Sequence, residues 1–286
     1  MGDPISVLLP AFNEEQAVAQ TVHRITEVMQ ANDLEGEIVV IDDGSHDKTA
    51  ELAEAAGAQV HRHPHNIGYG RALKRGISIA SHDTLVICDA DGTYPVEEIP
   101  ALLAKYDDGF DMIIGARTGF RDGWFKAPLR RFLRWLVEYT CGRRIEDVNS
   151  GLRVFDRRTV TSYLPTLCDT FSFTTSLTLA YNMTGRFVGD VPIDYRRRKG
   201  RTKVRLVRDS LRTLQYIVQA IIYYNPLKLF LLFSGMCVFL AGVGFLGSAT
   251  LDLRSGFPLG IGGLLIALIV FCFGLLADLL RQILSK

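Results

Sequence analysis

Thr84-Leu85-Val86-Ile87-Cys88-Asp89-Ala90-Asp91-Gly92 runs an apolar stretch straight into two carboxylates separated by one small residue. The stretch has the length and β-branched content of a buried strand, so the acids must stand at its carboxyl end. Working outward, Ile5–Leu9, Glu37–Ile41, Gln59–His61 and Met112–Gly115 read as further strands. Helical patterns fill the gaps: Glu14–Gln30 carries Val18, Val22, Ile25 and Met29 on one face, and Lys48–Ala56 and Gly70–Ala80 have similar faces. Strand-helix-strand units in series predict an α/β fold with a mostly parallel, Rossmann-like sheet covered on both sides. Ligands of such sheets bind beyond the carboxyl ends of the strands.

Polar residues gather at those ends. Asn13 and Glu14 follow the first strand, Asp42 and Asp43 end the second, and Asp89 and Asp91 end the fourth. Alternate carboxylates at a strand end can hold a divalent cation while a diphosphate fills its remaining positions, and hard oxygen ligands favour Mg2+ or Mn2+. A solvated turn is the plainer reading of any lone Asp-x-Asp, but this one follows directly on an apolar strand. In Asp42-Asp43-Gly44-Ser45, a strand-to-helix turn accounts for Gly44 and Ser45 but not for two adjacent acids. Those acids are placed to accept hydrogen bonds from a nucleoside. His65-Asn66-Ile67-Gly68-Tyr69-Gly70 fails the dinucleotide pattern, because its third glycine position is Leu73. It reads as a tight loop approaching a ligand, with a plain turn as the near-equal alternative. The alternating His61, His63 and His65 receive no role.

Trp124–Thr140 is expected as an amphipathic helix, Leu152–Phe155 as a strand and Ser172–Met183 as a helix. Two uncharged runs then follow, Leu229–Leu251 and Ser255–Ala277, with only Asp252, Leu253 and Arg254 between them. Each run reaches about 35 Å as a helix, enough to cross the hydrocarbon layer. The runs predict a hairpin that returns the chain to its starting side. The basic stretch from Arg196 to Arg212 precedes it and favours a cytoplasmic location for the larger part and for both termini. Arg205–Tyr224 reads as an amphipathic helix in the membrane interface. No cleaved signal peptide is expected. A net charge of +1 over 286 residues hides an acidic first half and a basic block that suits anionic lipid headgroups. No nucleic-acid partner is expected. The five cysteines lack metal-ligand or paired spacing. Gly235, Gly242 and Gly247 are small enough to allow close helix contacts, including those of a homo-oligomer.

Pro10-Ala11-Phe12-Asn13-Glu14, Asp42-Asp43-Gly44-Ser45, Asn66-Ile67-Gly68 and Asp89-Ala90-Asp91-Gly92 occur in the order and at the intervals of family 2 glycosyltransferases of the GT-A fold. Ile114-Gly115-Ala116-Arg117, the segment Asp147 to Arg153 and Arg198-Lys199-Gly200-Arg201-Thr202-Lys203 extend the similarity to dolichyl- and polyprenyl-phosphate hexose synthases. The resemblance implies a GT-A domain over 1–204, an interfacial helix over 205–225 and a transmembrane hairpin over 226–286. It implies that Pro10, Asn13, Glu14, Asp42, Asp43, Ser45, Gly68, Asp89, Ala90 and Asp91 contact a nucleotide-sugar, with Asp89 and Asp91 on the metal. Arg117, Arg131, Arg198 and Lys203 would face the phosphate of a polyprenyl or dolichyl acceptor. Dolichyl-phosphate mannose synthases often carry Gln where this chain has Thr93, which leaves the sugar open.

The expected reaction is a single inverting displacement in which Asp91, Arg117 and Asp147 act. A phosphate monoester is already largely dianionic at neutral pH. The site therefore needs cations to align it more than a strong base, and Asp147 is expected to orient a basic residue or the sugar. A processive polysaccharide synthase would share the donor motifs, but Arg134-Trp135 is preceded by Arg131 rather than Gln, and two spans cannot enclose a polymer. An anchored nucleotide-sugar-binding scaffold is the non-enzymatic alternative.

Overall fold

The computed structural model describes residues 3–118, 127–195, 206–251 and 254–284. Arg198, Lys203, the rest of the stretch 196–205, Trp124, Asp252 and Leu253 lie outside the described residues. The chain divides into two compact units, Met1–Tyr216 and Ile217–Lys286.

The first unit is built on one sheet. Its strands are β1 (Ile5–Ala11), β2 (Gly36–Asp42), β3 (Gln59–Arg62), β4 (Thr84–Ile87), β5 (Met112–Thr118), β6 (Arg153–Asp156) and β7 (Val188–Asp194). Their order is β3-β2-β1-β4-β6-β5-β7, and every pairing is parallel except those of β6 with β4 and β5. Helices α1 (Val18–Ala31), α2 (Thr49–Ala55), α3 (Tyr69–Ile79), α4 (Ile99–Asp107), α5 (Ala127–Cys141), α6 (Arg157–Tyr163) and α7 (Phe173–Met183) connect the strands. The strand residues Val7, Leu9, Val40, Val86, Ile113 and Val154 form a core with Val18, Val22 and Ile25 of α1. The helical spacing of those α1 residues is what turns them all onto the sheet.

β6 sets the geometry of the working edge. Ile87 pairs with Arg153 and Thr84 with Asp156, so the start of β6 lies at the carboxyl end of β4. The preceding segment 147–152 is thereby delivered beside Asp89. β7 runs parallel to β5, with Thr118 opposite Asp194, and brings Tyr195 to the same edge.

β7, α4 and α6 have no counterpart in the sequence reading. Val188-Gly-Asp-Val-Pro-Ile-Asp194 breaks the apolar alternation with glycine, acid and proline. Such a strand is tolerated at a sheet margin, where Pro192 forfeits no inner ladder bond. α6 starts directly at the end of β6, where Asp156 accepts the Thr159 N–H at 2.6 Å as its cap.

α8 (Leu206–Tyr224) runs across the boundary between the units. The second unit holds α9 (Pro226–Leu251) and α10 (Gly256–Leu284). Both are long and apolar enough to cross a membrane, by length and composition. They pack antiparallel: Ser234 Oγ donates to the Ala267 carbonyl at 2.9 Å, and Gly263 abuts Ala241. Leucines and phenylalanines such as Phe239 and Leu246 point outward, the arrangement a lipid solvent permits. Close approach within the hairpin is made by Gly244, Gly256, Gly260 and Gly274. Gly235 and Gly242, singled out from sequence, instead face open space.

Ile25 is fully buried in the first core. Its replacement by alanine is expected to cost about 3 kcal/mol through lost burial and a residual cavity. Thermal unfolding of the full chain in detergent should show a lowered midpoint for the first unit, and an unmoved midpoint would contradict this placement of α1.

Candidate active site

A cavity of about 330 Å3 opens at the carboxyl ends of β1, β2 and β4. The end of β1 and the segment after it contribute Pro10, Phe12 and Glu14, the position after β2 contributes Asp43, and the loop into α3 and its first residue contribute Asn66, Gly68 and Tyr69. Asp89, Ala90 and Asp91 line it from the segment after β4. Asn149, Phe171 and Thr174 close it from the second half of the unit. Tyr69, Asn149, Phe171 and Thr174 escaped the sequence reading. Their only signal was position inside quoted motifs or within or next to predicted elements, and direct contact with a ligand cavity is a tertiary property.

The two motif carboxylates are held differently. Asp89 Oδ1 accepts the Tyr69 hydroxyl at 2.9 Å. A β-carbon on Gly151 would come within 2.8 Å of Asp89 Oδ2, so only glycine lets the segment before β6 approach this closely. Asp91 Oδ1 accepts both the backbone N–H of Thr93 at 3.1 Å and its hydroxyl at 2.6 Å. The buried Thr93 therefore fixes Asp91 through a local turn. Among the described residues no cluster of three or more His, Cys, Asp or Glu side chains could hold a metal. Two adjacent hard-oxygen ligands in an open cavity fit a cation whose other positions are filled by a diphosphate, as for Mg2+ in phosphate-bearing sites.

The acids after β2 are engaged with the protein itself. Asp42 is fully buried and does not line the cavity. Its Oδ1 accepts the Ser45 N–H at 2.9 Å, and its Oδ2 pairs with Arg62 Nε at 3.1 Å. Asn13 and Ser45 also lie off the cavity lining and join the two loops: Ser45 Oγ accepts the Asn13 N–H, and Asn13 Oδ1 accepts the His46 N–H, each at 2.8 Å. Asn13 adopts φ of 51° to do so, a conformation asparagine tolerates better than most residues. Asp42, Asn13 and Ser45, expected from the sequence to contact a nucleotide, thus lie off this cavity and are hydrogen-bonded within the loops around it. Asp43 lines the cavity, yet it also organises the next loop. Its carboxylate accepts from the Ile67 and Gly68 N–H groups at 3.0 and 2.9 Å and meets His63 Nδ1 at 3.0 Å.

Arg117 and Asp147 form a two-point ion pair. Arg117 Nε and Nη2 donate to Asp147 Oδ2 and Oδ1 at 2.6 and 3.0 Å, with side-chain exposures of 18% and 13%. Burial by itself would raise the Asp147 pKa, but the Arg117 hydrogen bonds and charge overcome it and hold the carboxyl below its ordinary 3.8. The fork of Arg117 expected to face an acceptor phosphate is thus taken up by Asp147. The guanidinium also lies 5.2 Å above the Tyr195 ring. Tyr195 packs edge-on against Tyr94 at 5.1 Å, and the Tyr94 hydroxyl accepts the Gly151 N–H at 2.6 Å. A continuous set of contacts thus links the ion pair to Asp89. Arg131 is exposed on α5.

Arg153 supports this edge from below. Its fully buried guanidinium donates to the carbonyls of Ser150 and Val148, both at 2.8 Å, and to Thr178 Oγ1 at 2.7 Å. Burial lowers its pKa to about 10, well above neutrality, so it stays charged.

The profile of glycosyl transferase family 2 matches residues 6–169, which carry the sheet's carboxyl edge and the acidic pair. The chain belongs to this family. Among solved structures, this family 2 chain is similar to glucosyl-3-phosphoglycerate synthase from Mycobacterium tuberculosis in complex with phosphoglyceric acid. That similarity has 24% identity, 77% coverage of this chain, 80% of that chain and a TM-score of 0.65. It is also similar to the same synthase with Mn2+, UDP and phosphoglyceric acid, at 23% identity, 77% and 78% coverage and a TM-score of 0.65. A third complex of that synthase, with Mg2+ and UDP, gives 23% identity, 77% and 79% coverage and a TM-score of 0.63. These likenesses establish the fold, in agreement with the GT-A domain expected from the motifs.

Two outcomes follow from the geometry. Gly151→Ala should push Asp89 aside and lower glycosyl transfer by at least about tenfold while the chain still folds; an unaffected rate would show that Asp89 tolerates displacement. For the ion pair, the folded Asp147 pKa lies below its ordinary value, so the stabilisation is complete above pH 3.8 and fades as acid titrates the carboxyl through the lowered value. Melting curves taken from neutral pH down to about pH 3 should therefore lose stability in the acid, and Asp147→Asn should remove that part of the slope.

Proposed function

We propose that this family 2 glycosyltransferase transfers a hexose from a UDP- or GDP-linked sugar to a polyprenyl or dolichyl phosphate, with inversion at the anomeric carbon. The observation that carries the reading is the combination of an acid-lined cavity at the sheet's carboxyl edge with two helices long and apolar enough to cross a membrane. The GT-A portion would extend over 1–204, the interfacial helix over 205–225 and the hairpin over 226–286, with the larger portion and both termini cytoplasmic.

Asp89 and Asp91 would ligate Mg2+ or Mn2+ through the donor diphosphate, as the complexes of the mycobacterial synthase with UDP and either metal support. Such a cation supplies Lewis-acid stabilisation of the charge that develops on the leaving nucleotide. Pro10, Glu14, Asp43, Gly68 and Ala90 line the volume the nucleotide-sugar would fill. Asp42, Asn13 and Ser45 would act by fixing the loops around it. Because the acceptor phosphate is a ready nucleophile, Asp147 serves Arg117 instead of abstracting a proton: it accepts two hydrogen bonds that aim the guanidinium. Arg131, Arg198 and Lys203 are the further cations for the acceptor phosphate.

A second reading has support in the same comparisons. The mycobacterial synthase was captured with phosphoglyceric acid, a soluble phosphate-bearing acceptor. One assay separates the two: UDP- and GDP-sugars are offered to the full chain with undecaprenyl phosphate, dolichyl phosphate or 3-phosphoglycerate. A glycolipid product is expected, and a product formed from 3-phosphoglycerate alone would replace the lipid reading with the soluble one. Chelator and Asp91→Asn should each lower transfer by more than about 100-fold, and full activity in both would remove the metal from the mechanism. Truncation near Thr202 is expected to spare donor binding while reducing transfer to acceptor embedded in vesicles.

A further inference from the structure

We propose that Tyr69 is the positioning residue for Asp89, its hydroxyl holding the carboxylate in the one orientation that receives the divalent cation. The inference rests on the metal reading above and adds a residue outside the acidic motif. The phenol donates to Asp89 Oδ1 at 2.9 Å, and the Gly151 backbone comes so near the same carboxylate that a β-carbon there would lie 2.8 Å from Oδ2 and 2.9 Å from Oδ1. With a donor bound to one oxygen and a backbone this close to the carboxylate, the side-chain torsions of Asp89 have little room to turn.

The phenol is itself fixed at both ends. Its ring stacks on Phe171 with centroids 5.6 Å apart and planes 14° apart. Its backbone opens α3, directly after the Ile67 and Gly68 N–H groups that Asp43 binds. One residue on, a β-carbon at Gly70 would lie 2.3 Å from the Cys168 carbonyl, so α3 is pressed against the segment that carries Phe171. Lys74 Nζ binds both the Leu167 carbonyl at 2.6 Å and Asp169 Oδ1 at 2.7 Å, and Arg71 Nε reaches Asp169 Oδ2 at 3.1 Å. Thus Asp43 and Asp169 act on the cation position through α3 and Tyr69, without having to touch the cation. Hydrogen-bond partners of a ligating carboxylate commonly change metal affinity by about 10- to 100-fold when removed.

Tyr69→Phe keeps the ring and its stack but deletes the hydroxyl. The test uses the full chain in detergent and follows the electron paramagnetic resonance signal of free Mn2+, with UDP and with GDP. In Tyr69→Phe the Mn2+ dissociation constant should rise by about tenfold, metal-free nucleotide affinity should hold, and excess Mn2+ should restore transfer. Phe171→Leu, which removes the stacked ring but keeps the hydroxyl, should weaken Mn2+ binding less than Tyr69→Phe does, and a larger loss than in Tyr69→Phe would overturn the assignment to the hydroxyl. Unchanged or tighter Mn2+ binding in Tyr69→Phe, with Asp89→Asn still abolishing it, overturns the role of Tyr69 and leaves the metal site standing. Wild-type protein that takes up no Mn2+ with either nucleotide, or Asp89→Asn that binds it normally, overturns the metal reading and this inference with it.

Discussion

Because β6 pairs with β4 in antiparallel register, the chain just before it has to cross the carboxyl end of β4. That direction brings Gly151 against Asp89, sets Asn149 in the cavity wall and leaves Asp147 opposite Arg117 at the end of β5. A parallel β6 would deliver the same residues to the far edge of the sheet, some 10 Å or more away for a four-residue strand. The buried guanidinium of Arg153 secures the crossing by binding the carbonyls of Val148 and Ser150. Burying that charge is tolerable because all three of its nitrogens find acceptors.

Around this crossing, several acidic residues do structural work for their neighbours. Asp42 binds the turn that follows it, Asp43 gathers the loop before α3, Asp147 aims Arg117, and Asp169 ties α3 to the Phe171 segment. Each carboxylate accepts hydrogen bonds from donors that would otherwise need water, and in a partly enclosed site such bonds are both strong and directional. The cavity is consequently bounded by loops pinned at several points. Pre-set walls of this kind spare a bound substrate the entropy of ordering them.

The second unit follows different rules. Its helices associate through glycine contacts and the Ser234 hydroxyl bond to the Ala267 carbonyl, with large apolar side chains turned outward. Packing of small residues is how helices adhere when their surroundings are as apolar as they are. The face is decided by three-dimensional phase: Gly263 meets Ala241, whereas Gly242, one residue along, meets nothing.

How much was legible beforehand follows the range of the forces involved. Local patterns determined β1, β2 and β4, the amphipathic face of α1, the acidic residues at strand ends and the two long apolar helices, because period, turn chemistry and run length are written in consecutive residues. β7 stayed hidden because a marginal strand need not alternate cleanly. Sequence also could not tell Asp42 from Asp43: they are adjacent, alike in chemistry and both buried, and only the folded chain leaves Asp42 off the cavity lining while Asp43 is part of it. Tyr69 is one aromatic among many until α3 and the Phe171 segment close on it. The sequence by itself determined which chemistry is present and at which end of the sheet it stands. The tertiary structure alone decided which acids are spent on the protein and which face the cavity, since beside near neighbours such as Ser45 that depends on distant donors, Tyr69 and His63 at 20 residues along the chain and Arg71 at 98.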